Sequence, residues 1–80
     1  MSSLRHEARA RGVAWARSIA ERRPELRARP FPANVGRTRQ LARAKVIDLH
    51  PDPIVLDQLE GELYEAAAST WLLDCVDDGG

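Results

Sequence analysis

"DPIVLDQLEGELYEAAASTWLLDCV", residues 52–76, decides the fold. Pro51 and Pro53 push His50 and Asp52 out of the helical region of backbone space. Asp52 then reads as an N-cap with Pro53 at the first helical position, a strong start signal. From there Leu56, Leu59, Leu63, Ala66, Thr70 and Leu73 recur at alternating steps of three and four, a heptad seam. Val55, Ala67 and Trp71 flank the seam, and Asp57, Glu60, Glu62 and Glu65 take the other faces. The spacing predicts a long amphipathic helix over about 53–76, followed by an acidic tail at 77–80. Gly61 lies inside it, where glycine costs about 1 kcal/mol against alanine; a kink, a close packing contact or mere tolerance would each explain it.

Upstream, the pattern predicts two more helices. The first covers about 3–23, with Leu4, Ala8, Trp15 and Ile19 on one stripe and Val13, Ala16 and Ala20 widening it. Gly12 lies beside this stripe, where it would let another backbone approach. The stretch 24–33, "PELRARPFPA", holds three prolines and reads as an irregular, proline-rich linker that fixes Phe31 as a plug for the core. The second helix is expected over about 34–49, capped by Asn34, with Val35, Thr38, Ala42, Val46 and Leu49 in line. The branched run around residues 46–50 leaves a short strand as the alternative. The expected fold is a small all-α, single three-helix domain spanning residues 1–80.

The apolar content overstates the core. Twelve of the 80 residues are alanine, and Leu, Ile, Val and Phe together number 18. A core this thin favours oligomerisation or folding onto a partner. Cys75, the sole cysteine, allows no intramolecular disulfide, which fits a reducing cytoplasmic setting. The first twenty residues carry charges throughout, so no signal peptide is expected. No run reaches the ~20 apolar residues of a membrane span.

Charge is the most unusual feature. Residues 1–45 carry all 12 basic side chains and three acidic ones, a formal +9; residues 46–80 carry nine acidic and no basic ones, a formal −9. No acid of the third helix can find an i,i+4 cation within its own helix. Those acids must face water, the arginines of the first two helices, or a basic partner. The second option folds the halves together, within one chain or across a dimer.

Three functional classes follow. The leading expectation is a non-enzymatic protein-interaction or regulatory module that docks a partner, or itself, through the third helix by Leu56, Leu59, Leu63, Trp71 and Leu73; the same seam can equally be core. The alternative is a nucleic-acid-associated regulator that holds phosphate with Arg22, Arg23, Arg27, Arg29, Arg37, Arg39, Arg43 and Lys45. A basic first half and an acidic second half resembles, by analogy of organisation alone, the layout of small antitoxins, which hold DNA with one half and a toxin with the other. No helix-turn-helix or zinc-finger spacing accompanies it. The third class is a homo-oligomer that sets the basic half of one chain against the acidic half of the next. No cofactor, metal or small-molecule substrate is expected: His6, His50 and Cys75 are far apart, and "DLHPD" lacks ligand spacing. His50 reads as a loop or cap residue.

Overall fold

The computed structural model describes residues 3–31 and 36–75, with backbone alone at residues 3 and 36–38. Asn34, Val35 and the tail 77–80 lie outside the described residues, as do the side chains of Arg37 and Thr38. Among the described residues the chain forms three α-helices and no strand. Helix α1 runs Ser3–Arg22. Its last turn closes when the Arg23 amide donates to the Ile19 carbonyl at 2.8 Å. Pro24, with no N–H to donate, stops it there.

The proline-rich stretch is more ordered than expected. Pro24–Ala28 forms a short 3-10 helix, in which the Leu26 amide donates to the Arg23 carbonyl and the Arg29 amide to the Leu26 carbonyl. Pro24 occupies a first-turn position, where its missing donor costs nothing. Phe31 plugs the core as the sequence suggests, edge-on to Trp15 at 5.2 Å and 5.7 Å from Trp71.

Helix α2 runs Gly36–Val46, shorter at its end than the expected limit at residue 49. Residues 47–49 form a turn closed by Leu49 N–H to the Val46 carbonyl at 2.9 Å, so this segment is neither helix nor strand. Pro51 explains the early stop, because it keeps His50 out of the helical region. Helix α3 runs Pro53–Thr70 and continues as a single π turn, Trp71–Cys75. Asp52 is its N-cap: the carboxylate accepts from the Ile54 amide at 2.9 Å. His50 sits in the same cap, with Nδ1 accepting from the Asp52 amide at 3.0 Å.

Cross-helix pairs set the topology. Arg5 and Arg9 meet Glu62, and Arg17 meets Asp74, so α1 and α3 run parallel. Arg43 meets Asp57 and Arg11 meets Asp48, so α2 runs antiparallel to both. The largest interface is that of α1 with α3. Ala8, Trp15 and Ala16 of α1, Ala42 and Val46 of α2, and Leu56, Leu59, Leu63, Ala67 and Trp71 share one buried cluster.

Gly12 sets how close α1 and α3 come. A Cβ at this position would lie 2.2 Å from the Leu63 carbonyl oxygen and 3.2 Å from the Ala66 Cβ. Backbone is the obstacle, so no side chain can swing aside. Gly61 is different: a Cβ there meets nothing within 4 Å, so close packing within the chain is not the reason for this glycine. Gly12→Ala should therefore destabilise the fold by about 1–3 kcal/mol through overpacking, despite its better helix propensity. Gly61→Ala should stabilise it by up to about 1 kcal/mol. Urea unfolding of the two variants checks both signs.

Candidate functional site

The heptad seam is spent on the fold. Leu56, Leu59, Leu63 and Trp71, four of the five residues expected on a docking face, are buried in the core. Leu73 is not. It is 77 % exposed, and its neighbour Leu72 is 72 % exposed. The π turn explains the departure from the heptad. An i→i+5 turn advances fewer degrees per residue than the 100° of an α-helix. Over Trp71–Cys75 the lag rotates Leu73 away from the seam and brings Trp71 and Cys75 inward, where both are buried. Trp71 is further held by its indole N–H, which donates to the Arg29 carbonyl at 2.7 Å.

The charged halves face each other within the chain. Arg5 and Arg9 of α1 converge on Glu62 of α3, with Arg9 Nη1 donating to the carboxylate at 2.9 Å. Arg9 also lies 3.7 Å from Glu65. Arg11 takes Asp48 through both carboxylate oxygens, at 2.7 and 3.1 Å. Arg17 reaches Asp74, and Arg43 reaches Asp57 and Glu60. With Asp52 acting as a cap, every acidic residue between 46 and 75 has a role within the chain.

Two arginines do a second job at helix ends. Helix α3 has no basic residue in its last turn, yet the dipole favours positive charge there. Arg27 supplies it from the 3-10 segment, with Nε donating to the Cys75 carbonyl at 2.6 Å. Arg11 Nη1 likewise donates to the Lys45 carbonyl in the last turn of α2 at 2.7 Å.

The expected phosphate-binding residues with described side chains differ in their surroundings. Arg43 is drawn to α3, and the Lys45 ammonium sits 5.5 Å from the centre of the Trp15 ring as a cation–π pair. Arg23 pairs with Glu25. Arg22, Arg29 and Arg39 are exposed and have no carboxylate partner among the described residues. Arg39 lies on α2 one turn before Arg43, whereas Arg22 and Arg29 flank the 3-10 segment that borders the π turn. A groove of about 530 Å³ opens there, lined by Arg17, Ala20, Glu21, Pro24, Arg27, Asp74 and Cys75.

Leu72 was absent from the residues singled out by periodicity. The adjacent leucines "LL" carried the signal: neighbours on a helix stand 100° apart, so one of the pair had to leave a narrow seam. Arg27 as a capper of α3 was foreshadowed only by the want of a cation after Lys45. Among the described residues no cluster of three metal-ligating side chains occurs, and no helix is long and apolar enough to cross a membrane. No family model, curated protein or solved structure matches the chain.

Several carboxylates are tuned by these pairs. The hydrogen bond from Arg9 holds Glu62 below its ordinary value of 4.5, against the opposing effect of desolvation. The hydrogen bond from Arg11 likewise lowers Asp48 from 3.8. A carboxylate with a lowered folded pKa adds stability that is present above its unfolded pKa and is lost as pH falls through the folded value. The melting temperature should hold steady down to about pH 5 and then fall progressively below the ordinary carboxylate range. Glu62→Gln should lower the melting temperature at neutral pH and show a shallower acid-induced drop. Thermal melts by circular dichroism across pH check both.

Proposed function

We propose that this chain is a non-enzymatic protein-interaction module whose docking element is the Leu72–Leu73 pair on the π turn. One observation carries the reading: two adjacent large apolar side chains are held more than two-thirds exposed on an ordered helical turn. Burying a leucine is worth roughly 1.5–3 kcal/mol, so exposing two of them forgoes stability unless a partner covers them. π turns inside helices are also frequent at functional sites. The lone free cysteine, Cys75, agrees with a reducing compartment, and a cytoplasmic setting belongs to this reading.

A second reading is the binding of nucleic-acid phosphate by the basic segment. It draws support from Arg22, Arg29 and Arg39, which are exposed and free of carboxylate partners among the described residues. Arg37 stays a candidate in it by sequence alone.

Two sets of leucine variants separate docking from core. Leu59→Ala and Leu63→Ala should each cost about 2–5 kcal/mol of stability through the cavity left behind. Leu72→Ser/Leu73→Ser should change the melting temperature by only a few degrees, as about 0.5 kcal/mol per surface site implies. Cross-linking capture with the wild type and the folded Leu72/Leu73 variant then tests the function. A partner protein, or a second copy of the chain, that is lost only in the variant supports the reading. Equal recovery by both sinks it.

A further inference from the structure

We infer that the outer face of α3 is a self-association surface, on which a second copy of this chain lays its own α3 antiparallel. At Leu72 this rests on the docking reading above, and it adds the occupant and the rest of the surface. Helix α3 carries two heptad lines. The buried one holds Leu56, Leu59, Leu63, Ala66 and Thr70. On the far side Ile54, Gln58, Gly61, Glu65, Ala68 and Leu72 recur at steps of four and three, and all six are exposed. A helix on the surface of one bundle needs a single such line, whereas a second opposite the first suits a helix that packs twice. Both ends of the outer line are large apolar side chains left in water, Ile54 at 69 % and Leu72 at 72 % exposure.

Gly61 stands in the middle of this line. No contact inside the chain requires it, since a Cβ there meets nothing within 4 Å, yet it costs α3 about 1 kcal/mol against alanine. Gly12 shows what a bare position on a helix does in this chain when a neighbour is present: the Leu63 carbonyl comes in where a Cβ would stand. Gly61 offers the same close approach, turned outward.

The order of side-chain sizes identifies the occupant as a second copy. Place two copies of the line antiparallel about a two-fold axis at the level of Leu63. Ile54 then faces Leu72 of the second copy, Gln58 faces its Ala68, and Glu65 faces its Gly61. Symmetry repeats each contact. Large apolar groups meet at both ends, and each long polar side chain lies over a residue too small to oppose it. A parallel pair would instead set Glu65 against Glu65 and leave a gap between the two glycines. Charge permits the antiparallel arrangement. Glu65 is the one charged residue of the line, and its carboxylate lies 3.7 Å from Arg9. On the flanks Asp57 and Glu60 are held by Arg43, and Glu62 by Arg5 and Arg9. Carboxylates already engaged within the chain do not repel a second copy strongly, and they offer little to a basic partner.

The line is about 27 Å long, at 1.5 Å per residue. One helix pair of this length falls near or below the ~1,200 Å² at which standard interfaces begin, so the dimer should be weak and reversible.

The test is sedimentation equilibrium of the full chain from about 1 μM to about 1 mM, a range that brackets a weak dimer. The average mass should climb from one chain towards two. Gly61→Glu sets a carboxylate against Glu65 of the second copy and should weaken the dimer about tenfold or more. Its thermal unfolding at the lowest concentration should be no worse than that of the wild type, because the position is open in the single chain. When Gln58→Cys and Ala68→Cys chains are mixed and oxidised, the disulfide should join one kind to the other, since the bond needs Cα atoms within about 7 Å. A chain that stays monomeric throughout, a dimer that Gly61→Glu leaves intact, or disulfides that join each variant only to its own kind would overturn the proposal. A monomeric chain from which Leu72→Ser/Leu73→Ser removes a different captured protein would overturn the second copy and keep the docking reading. A dimer lost in Gly61→Glu but unchanged in Leu72→Ser/Leu73→Ser would do the reverse.

Discussion

The contact between Gly12 and the Leu63 carbonyl governs this structure. A residue without a side chain at the middle of α1 lets its backbone come against that of α3, where a Cβ would sit 2.2 Å from the oxygen. Small residues extend the close approach on both sides: Ala8 and Ala16 on α1, Ala66 and Ala67 on α3. A chain with few large apolar residues gains dispersion contacts best by bringing backbones together. The alanine-rich composition, which makes the core thin when large side chains are counted, is what permits this packing.

Close approach in turn decides the electrostatics. With α1 and α3 parallel and in contact, the arginines on the flank of α1 come within bonding reach of the carboxylates on the flank of α3. Arg9 and Glu62 are joined at 2.9 Å, and Arg17 and Asp74 lie at the other end of the same interface. Individually such partly exposed pairs contribute little. Together they orient the helices, and reversing α3 would set its Glu62 and Asp74 against the wrong partners. The layout also relieves a defect in α3 that its own sequence cannot correct. With no cation after Lys45, the helix has nothing of its own to meet its C-terminal carbonyls, and Arg27 reaches in from another segment.

The same segment borders the turn that carries the two most exposed of the large apolar side chains. Trp71 is pulled inward by the Arg29 carbonyl and the ring of Phe31, and Cys75 follows it into the core. The extra residue in the turn accommodates this inward pull and leaves Leu72 and Leu73 facing solvent. A core requirement at one end of the bundle thereby creates an exposed apolar pair.

Much of this was legible in the sequence, because it is local. The Asp52–Pro53 start of α3, the period of Leu56, Leu59 and Leu63, and the stop imposed by Pro24 depend on residues a few positions apart, and local rules govern them. The charge switch at Lys45 was legible as well, but not what it faces, since the acids of α3 were equally free to meet water, the arginines of the first two helices or a basic partner. Tertiary structure alone decided the rest. A heptad pattern specifies an apolar stripe but not what covers it, so the seam could be core or docking face until α1 was placed on it. The heptad also continued to Leu73 on paper, whereas the π turn depends on the contacts of Trp71 with residues some forty positions away. Which arginines find a carboxylate is likewise a property of the assembled bundle: Arg9 and Arg29 are the same residue type in the same basic half, and among the described residues only Arg9 has a carboxylate beside it.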